Sequence, residues 1–354
     1  AADGSLQIGL SGVQHGASAG HSVSGSVDVP TGDTFAVRAS GFTRQEPGYI
    51  DNVRSGERDV NEAESRGAHL SGLWRPSTLF SLKLSALLQR SEVSGLSYVA
   101  VEPEFADLQQ SFLPHSGGLD RKSSAFMATA NATLGRFDLT SVTGYNTNQL
   151  NASFDNALAI PEENILEADG LRTNKFTEEL RFATHIGERV DWLIGGFFTR
   201  DHTRAVLEYI AAEPDGEPLD VVARSDGTSR YEEWAAFTNL TYRVTERFDV
   251  QLGARESRIR QVFSDPAYVR DTAFTYLLTP RFKITPDTML YARFASGYRP
   301  GGTNGLALEL APGTPAQFNP DTTQNYELGL KSEFLDRKLS VEASLYYIDW
   351  KDIQ

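Results

Sequence analysis

Cysteine is absent from the 354-residue sequence. That single absence removes disulfides, thiolate-held zinc and a cysteine nucleophile together, and it suits an exported chain. No run of apolar side chains approaches the roughly 18 residues that a membrane-crossing helix needs. The chain does not open on a signal peptide either, since Ala1-Ala2-Asp3-Gly4-Ser5 has no basic segment and no apolar core. The expectation is a mature or truncated form of an exported chain. A basic surplus is also missing. The net charge is −14, which argues against nucleic acid as a partner and reads as acidic, solvated loops.

Catalytic and metal-binding spacings are equally scarce. The histidines are His15, His21, His69, His115, His185 and His202, and none forms an HExxH or an i, i+4 pair. His115-Ser116-Gly117-Gly118 is no nucleophile elbow, because Pro114 precedes it and no strand-turn-helix surrounds it. Glu178-Glu179 and Glu232-Glu233 are adjacent pairs in strand-like stretches, so the two carboxylates of each pair point opposite ways. One is expected inside and one near an interface, which opposes shared acid/base work. The glycine-rich piece 297–305 lacks the lysine and following helix of a phosphate loop. No enzymatic activity, metal or cofactor is expected.

What the chain does have is period-two patterning. In Met289-Leu290-Tyr291-Ala292-Arg293-Phe294-Ala295-Ser296-Gly297-Tyr298, one parity holds Leu290, Ala292, Phe294 and Tyr298, and the other holds Tyr291 and Arg293. In 325–331, Tyr326, Leu328 and Leu330 share a face while Glu327 and Lys331 share the opposite one. Successive side chains alternate only on a pleated strand. A face of apolar and aromatic groups backed by Arg, Glu and Lys is the signature of a strand between lipid and water. Hydrophobic residues make up 40% and mean hydropathy is −0.34. A barrel accommodates those values, because only alternate residues meet lipid.

Strands are expected at 5–13, 22–29, 35–43, 66–75, 79–90, 123–134, 137–148, 173–185, 190–202, 231–244, 248–260, 273–284, 288–298, 325–331 and 339–347. Short turns such as Gly187-Glu188-Arg189 and Thr245-Glu246-Arg247 alternate with long polar segments, 45–64, 91–120, 150–170, 208–227, 261–271 and 299–322. That sorting fits a transmembrane barrel with short periplasmic turns and long outer loops. The fold class expected is therefore an all-β, antiparallel up-and-down transmembrane β-barrel. Ala1 should lie on the periplasmic side and all long segments on the opposite rim. About fifteen strands are countable, against the 22 of plugged outer-membrane transporters, so the barrel reads as incomplete.

Three segments carry a family resemblance: Phe294-Ala295-Ser296-Gly297-Tyr298-Arg299-Pro300-Gly301-Gly302, Asn325-Tyr326-Glu327-Leu328-Gly329-Leu330-Lys331-Ser332, and Leu345-Tyr346-Tyr347-Ile348-Asp349-Trp350-Lys351-Asp352-Ile353-Gln354. Together with Val37-Arg38-Ala39-Ser40-Gly41-Phe42, Glu46-Pro47-Gly48-Tyr49-Ile50-Asp51-Asn52 and Phe176-Thr177-Glu178-Glu179-Leu180-Arg181-Phe182, they resemble the barrel of TonB-dependent outer-membrane receptors. The resemblance covers most of the chain. It implies that residues 1–354 are one barrel domain, with the plug preceding Ala1 and further strands following Gln354. It also implies a place in the bacterial outer membrane, contact with its lipid, and a small-molecule or glycan ligand. Energy-coupled uptake of a ferric siderophore, cobalamin or glycan would follow, driven by an inner-membrane coupling protein acting through the plug. Two other readings stay open: a passive diffusion porin, and a soluble all-β adhesin that would bury the apolar parity in a core.

Candidate ligand contacts lie at the mouth. Arg299, beside Tyr298, is placed to meet an anionic ligand, and its competing role is to cap a turn. Loop aromatics Tyr49, Tyr98, Phe105, Phe112, Tyr209, Tyr268 and Phe318 either meet a ligand or pack the loops. Trp74, Trp192, Trp234, Trp350, Tyr145, Tyr242, Tyr298 and Tyr347 read as an interfacial belt. The final hairpin allows a register to be set. A turn at Asp336-Arg337 places Phe334 against Leu339, then Leu330 against Ala343, Leu328 against Leu345, Tyr326 against Tyr347 and Lys331 against Glu342.

Overall fold

The computed structural model describes all residues except 1, 100, 102–104, 115, 157–163, 264–267, 304–312, 314, 316 and 354. His115 and the centres of the segments 150–170 and 299–322 thus lie outside the described residues. The elements in order are β1 (Asp3–Ser11), β2 (Gly20–Thr31), β3 (Phe35–Glu46), β4 (Asp51–Asn52), β5 (Ala63–Ser77), β6 (Phe80–Val93), β7 (Gln109–Gln110), β8 (Leu119–Leu134), β9 (Phe137–Asp155), β10 (Ile165–Ile186), β11 (Val190–Ala212), β12 (Pro218–Arg243), β13 (Phe248–Phe263), β14 (Tyr268–Thr285), β15 (Thr288–Arg299), β16 (Gly302–Thr303), β17 (Gln317–Phe318), β18 (Asp321–Phe334) and β19 (Leu339–Lys351). Among the described residues there is no helix. Fifteen strands form one sheet in chain order, with β1 and β19 at its edges. The remaining four pair as β4–β7 and β16–β17.

By contact density the chain divides into two compact units. One comprises residues 1–129, 144–176 and 201–229, and the other residues 130–143, 177–200 and 230–354.

In the first unit β1, β2, β3, β5 and β6 pair antiparallel in sequence. On one face of β5 and β6, Ala68 stands opposite Leu88, Leu70 opposite Ala86, Gly72 opposite Leu84 and Trp74 opposite Leu82. The other face pairs Gly67 with Gln89, Ser71 with Ser85 and Leu73 with Lys83. Leu70 and Leu88 are 54% and 55% exposed, so this apolar face is open rather than covered. A soluble sandwich would bury it; exposed apolar side chains in register over a whole face belong against lipid.

The second unit repeats the arrangement. The register of β18 and β19 pairs Phe334 with Leu339, Leu330 with Ala343, Leu328 with Leu345, Tyr326 with Tyr347 and Lys331 with Glu342, as the alternation requires. Lys331 Nζ lies 3.0 Å from Glu342 Oε2 on the polar face, while Leu328 and Leu345 are 52% and 78% exposed on the apolar one. The turn is made by Leu335, Asp336 and Arg337, all at positive φ. On the apolar face a ladder of rings crosses four strands. Tyr276 and Phe294 centroids are 5.2 Å apart, Phe294 and Tyr326 5.0 Å, and Tyr326 and Tyr347 6.3 Å. The Glu178-Glu179 pair splits between faces. Glu179 pairs with Arg181. Glu178 accepts hydrogen bonds from the Ser141 and Thr143 hydroxyls, which satisfies a carboxylate set on the same parity as Phe176, Leu180 and Phe182.

Strand ends depart most from the sequence expectation. The segment 208–227, expected as a polar loop, is mostly strand, since β11 runs to Ala212 and β12 starts at Pro218. Likewise β9 runs to Asp155, β10 starts at Ile165, β13 reaches Phe263 and β14 begins at Tyr268. A membrane crossing takes about 9–11 residues, so these strands continue well beyond lipid. There both faces meet water and the apolar alternation disappears. Cross-strand ion pairs hold the β11–β12 extension instead: Arg204 Nε donates to Asp226 Oδ1 at 3.0 Å, and Arg224 NH1 donates to Glu208 at 2.5 Å.

Candidate functional site

At the outer end of β15 the structure brings Arg299 onto the polar face opposite Asp321. Arg299 Nε donates to Asp321 Oδ1 at 3.0 Å, and its NH2 lies 2.8 Å from Oδ2. The same Oδ2 accepts from Trp350 Nε1 at 2.9 Å, and the guanidinium sits 6.0 Å from the Trp350 ring centroid. Asp321 is buried by this arrangement. Its carboxylate therefore locks β15, β18 and β19 together, while half of the Arg299 side chain stays in solvent. Trp350, expected in the interfacial belt, stands opposite Thr323 on the polar parity of the β18–β19 pair, where its indole reaches Asp321.

Tyr298 keeps the apolar parity in its backbone register, opposite Thr322. Its hydroxyl is nevertheless buried and neighbours the Asp271 carboxylate, so it is not a belt residue. The β14–β15 pairing is irregular beside it. Tyr276 N donates to Ser296 Oγ at 2.9 Å rather than to a strand carbonyl, and the regular β14–β15 register stops at Leu277 opposite Ala295. Nearby, Glu233 accepts from Tyr231 Oη at 2.9 Å and from Arg255 NH2 at 2.7 Å. Arg255 also lies 4.8 Å from the Phe197 ring centroid and 5.9 Å from that of Phe237, a cation held between aromatic faces. Sequence reading missed this cluster, because its residues come from three strands and no short spacing announces it.

The first unit carries a folded cap built from its long connections. The parallel pair β4–β7 aligns Asp51 with Gln109 and Asn52 with Gln110. Asn61 Oδ1 accepts from the amides of Tyr49 and Ile50, and Asn52 Nδ2 donates to the Phe112 carbonyl at 2.9 Å. Arg54 donates to Asn164 Oδ1 at 2.7 Å and to the Pro214 carbonyl at 3.3 Å. Leu113 packs with Leu166, Ala212 and Ile210, and its amide donates to Asp155 Oδ2 at 2.7 Å. Of the loop aromatics, Tyr49, Phe105 and Phe112 are half-buried, and Tyr98 and Tyr268 are exposed. Phe318 covers Gly302, where an added Cβ would meet its ring.

Glu167 and Asp169 stand nineteen and seventeen residues from Ile186, the short-turn end of β10, and so lie beyond the membrane crossing. Burial raises both carboxyls above their ordinary range, with Asp169 adding to the effect on Glu167. A raised carboxyl contributes stability that is full below its unfolded pKa and is lost as pH rises through its folded one. Acidification from neutral pH is therefore expected to tighten the outer ends of β10 and β11. Hydrogen exchange at 165–171, referenced to Glu167→Gln, measures this. Protection that falls on acidification relative to the variant would contradict the assignment.

The family described as "TonB dependent receptor-like, beta-barrel" matches residues 15–354. The chain is 29% identical over 194 residues to the pesticin receptor of Yersinia enterocolitica, covering 52% of this chain and 28% of that protein. Its fold is similar to that of the ferric yersiniabactin uptake receptor FyuA from Yersinia pestis, with a TM-score of 0.77, 19% identity, and coverage of 95% of this chain and 53% of that one. It is also similar to the siderophore receptor PiuA from Acinetobacter baumannii, with a TM-score of 0.75, 13% identity, and coverage of 96% and 56%. The chain thus spans about half the length of these solved receptors, and the matched part just over a quarter of the curated relative. Matched over nearly all its length, it belongs to the TonB-dependent receptor-like β-barrel family.

Proposed function

We propose that the chain forms the lipid-spanning wall of an outer-membrane receptor that imports a scarce nutrient by energy-coupled uptake, the nutrient being a ferric siderophore. The observation that carries this reading is a two-faced fifteen-stranded sheet in a chain that matches the receptor family over residues 15–354. The exposed apolar parity meets lipid, and the parity carrying Arg299–Asp321, Arg255–Glu233 and Lys331–Glu342 lines the interior. That similar folds belong to proteins described as siderophore receptors supports the nutrient class. The inner-membrane coupling protein is the partner this reading requires, and the short turns face the periplasm. Tyr298 and Arg299 stand at the mouth. Arg299 offers a half-exposed guanidinium edge to an anionic ligand while Asp321 holds the other edge.

The test is growth under iron limitation. A strain lacking its own receptor is expected to recover growth on the ferric siderophore when this receptor is restored, and to lose it when the proton gradient is dissipated. Uptake that persists without the gradient would mark a passive porin and overturn the reading.

A further inference from the structure

The β11–β12 hairpin ends in an open strand edge. β12 is 26 residues long, and β13, joined to it by the short turn 244–247, is 16. Counted from that turn, residues 218–226 of β12 run past the end of β13 at Phe263. Among the described residues they have no strand partner on that side. Their other side is secured. Asp226 and Glu208 pair with Arg204 and Arg224 across β11 and β12. β11 is backed in turn by the start of β10, where the Ala212 amide donates to the Asn164 carbonyl at 2.8 Å. Pro218 stands twenty-five residues from Arg243, the short-turn end of β12. A crossing takes about 9–11 residues, so this edge lies far beyond lipid.

An unpaired edge is a template for another strand, and sheets blunt such edges with lysine, proline or charge. Here that protection is thin. Pro218 guards only the tip. Arg224 is the one cation within 218–226, and it is engaged by Glu208 and Asp226. Between them Leu219, Val221 and Val222 are each more than half exposed. Leu219, Val221 and Ala223 share one face of the strand, and Asp220 and Val222 share the other. The tip is acidic as well. Glu213, Asp215, Glu217 and Asp220 form no ion pair among the described residues. Asp215 Oδ1 accepts only the Glu217 amide, at 3.2 Å. The one cation bonded to this tip among the described residues is Arg54, on the Pro214 carbonyl rather than on a carboxylate.

We propose that residues 218–226 take up, as an added strand, one extended segment of a second protein outside the cell, a segment that alternates apolar with basic side chains. Main-chain hydrogen bonds to the free edge hold it, and its alternate side chains give selectivity. Apolar groups cover Leu219, Val221 and Ala223. Lysine or arginine on the opposite face meets Asp220 and the acids of the tip, which repel an acidic strand. The proposal requires this end of the sheet to lie outside the cell but is independent of what is transported.

The test titrates three short synthetic peptides onto the intact receptor in mild detergent. One alternates lysine with valine, one alternates glutamate with valine, and the third is the lysine–valine peptide with its backbone amides N-methylated. Binding is read by fluorescence anisotropy and by hydrogen exchange at 218–226. The lysine–valine peptide is expected to slow exchange there and to bind about tenfold more tightly than the glutamate–valine one. The N-methylated peptide keeps charge and apolar groups but cannot donate to the edge, so it is expected to bind about tenfold more weakly than its parent. Val221→Lys, at an exposed side chain, is expected to weaken the lysine–valine peptide about tenfold, and Glu217→Gln with Asp220→Asn to erase the preference for basic over acidic. The comparison of peptides on wild type decides the matter even if a variant fails to fold. Equal binding of the basic and acidic peptides, equal binding of the N-methylated one, or unchanged exchange at 218–226 would each overturn the site. Siderophore-dependent growth is read separately, so the two proposals fail independently.

Discussion

Leu328→Arg is expected to destabilise the folded receptor by roughly 2–4 kcal/mol, the range for a cation at a lipid-facing midplane position. Leu328 lies six residues from Phe334, the short-turn end of β18, which places it near the middle of the crossing. Its partner Leu345 is on the same open apolar face, so no neighbouring carboxylate or water compensates the new charge. Ser344→Arg places the same side chain one step over, beside Gly329 and on the face that carries Lys331 and Glu342. There it meets water and costs far less. Denaturant titrations of refolding into bilayers compare the two directly. Equal losses would show that the parity assignment of the final hairpin is wrong.

Leu113→Ala is expected to cost about 2–5 kcal/mol, the range for deleting a buried leucine side chain, and to spend that loss locally. Leu113 is 1% exposed and touches Leu166, Ala212 and Ile210. These come from different connections, which are also joined by polar contacts such as those of Arg54. Hydrogen exchange at 50–54 and 110–116 should accelerate strongly while the β18–β19 pair stays protected. Uniform acceleration of both regions, or of neither, would refute the idea that the cap is a separate cooperative unit.

Legibility followed the environment of each residue. Where one face meets lipid and the other water, side-chain period two is strictly enforced, and the register of Phe334 to Leu339 through Tyr326 to Tyr347 could be read from the letters. Beyond lipid that pressure ends. Arg204, Glu208, Arg224 and Asp226 are polar because they bridge β11 and β12 in water, so the extension resembled a loop. The two-residue strands β4 and β7 lie far apart in sequence and are aligned by Asn61 and Asn52 side chains rather than by any pattern of their own. At the mouth, Arg299 and Tyr298 were visible as a pair of residue types. Asp321, Trp350 and Asp271, which fix their directions, come from other strands, and nothing in local spacing connects them.

The ring ladder of Tyr276, Phe294, Tyr326 and Tyr347 has a bearing on which membrane can accept the protein. Tyr326 and Tyr347 each stand eight residues from the short-turn ends of their strands. At the rise and tilt usual in barrels, that spacing is a hydrophobic height of roughly 20 Å. An average bilayer has a hydrocarbon thickness of about 30 Å, while the bacterial outer membrane is thinner. In a thick bilayer the charged groups above the ladder would be drawn into hydrocarbon or the lipid would have to compress, at fractions of a kcal/mol for each ångström of mismatch. Reconstitution should therefore favour short-chain over long-chain lipids, so that membrane thickness itself sorts the receptor.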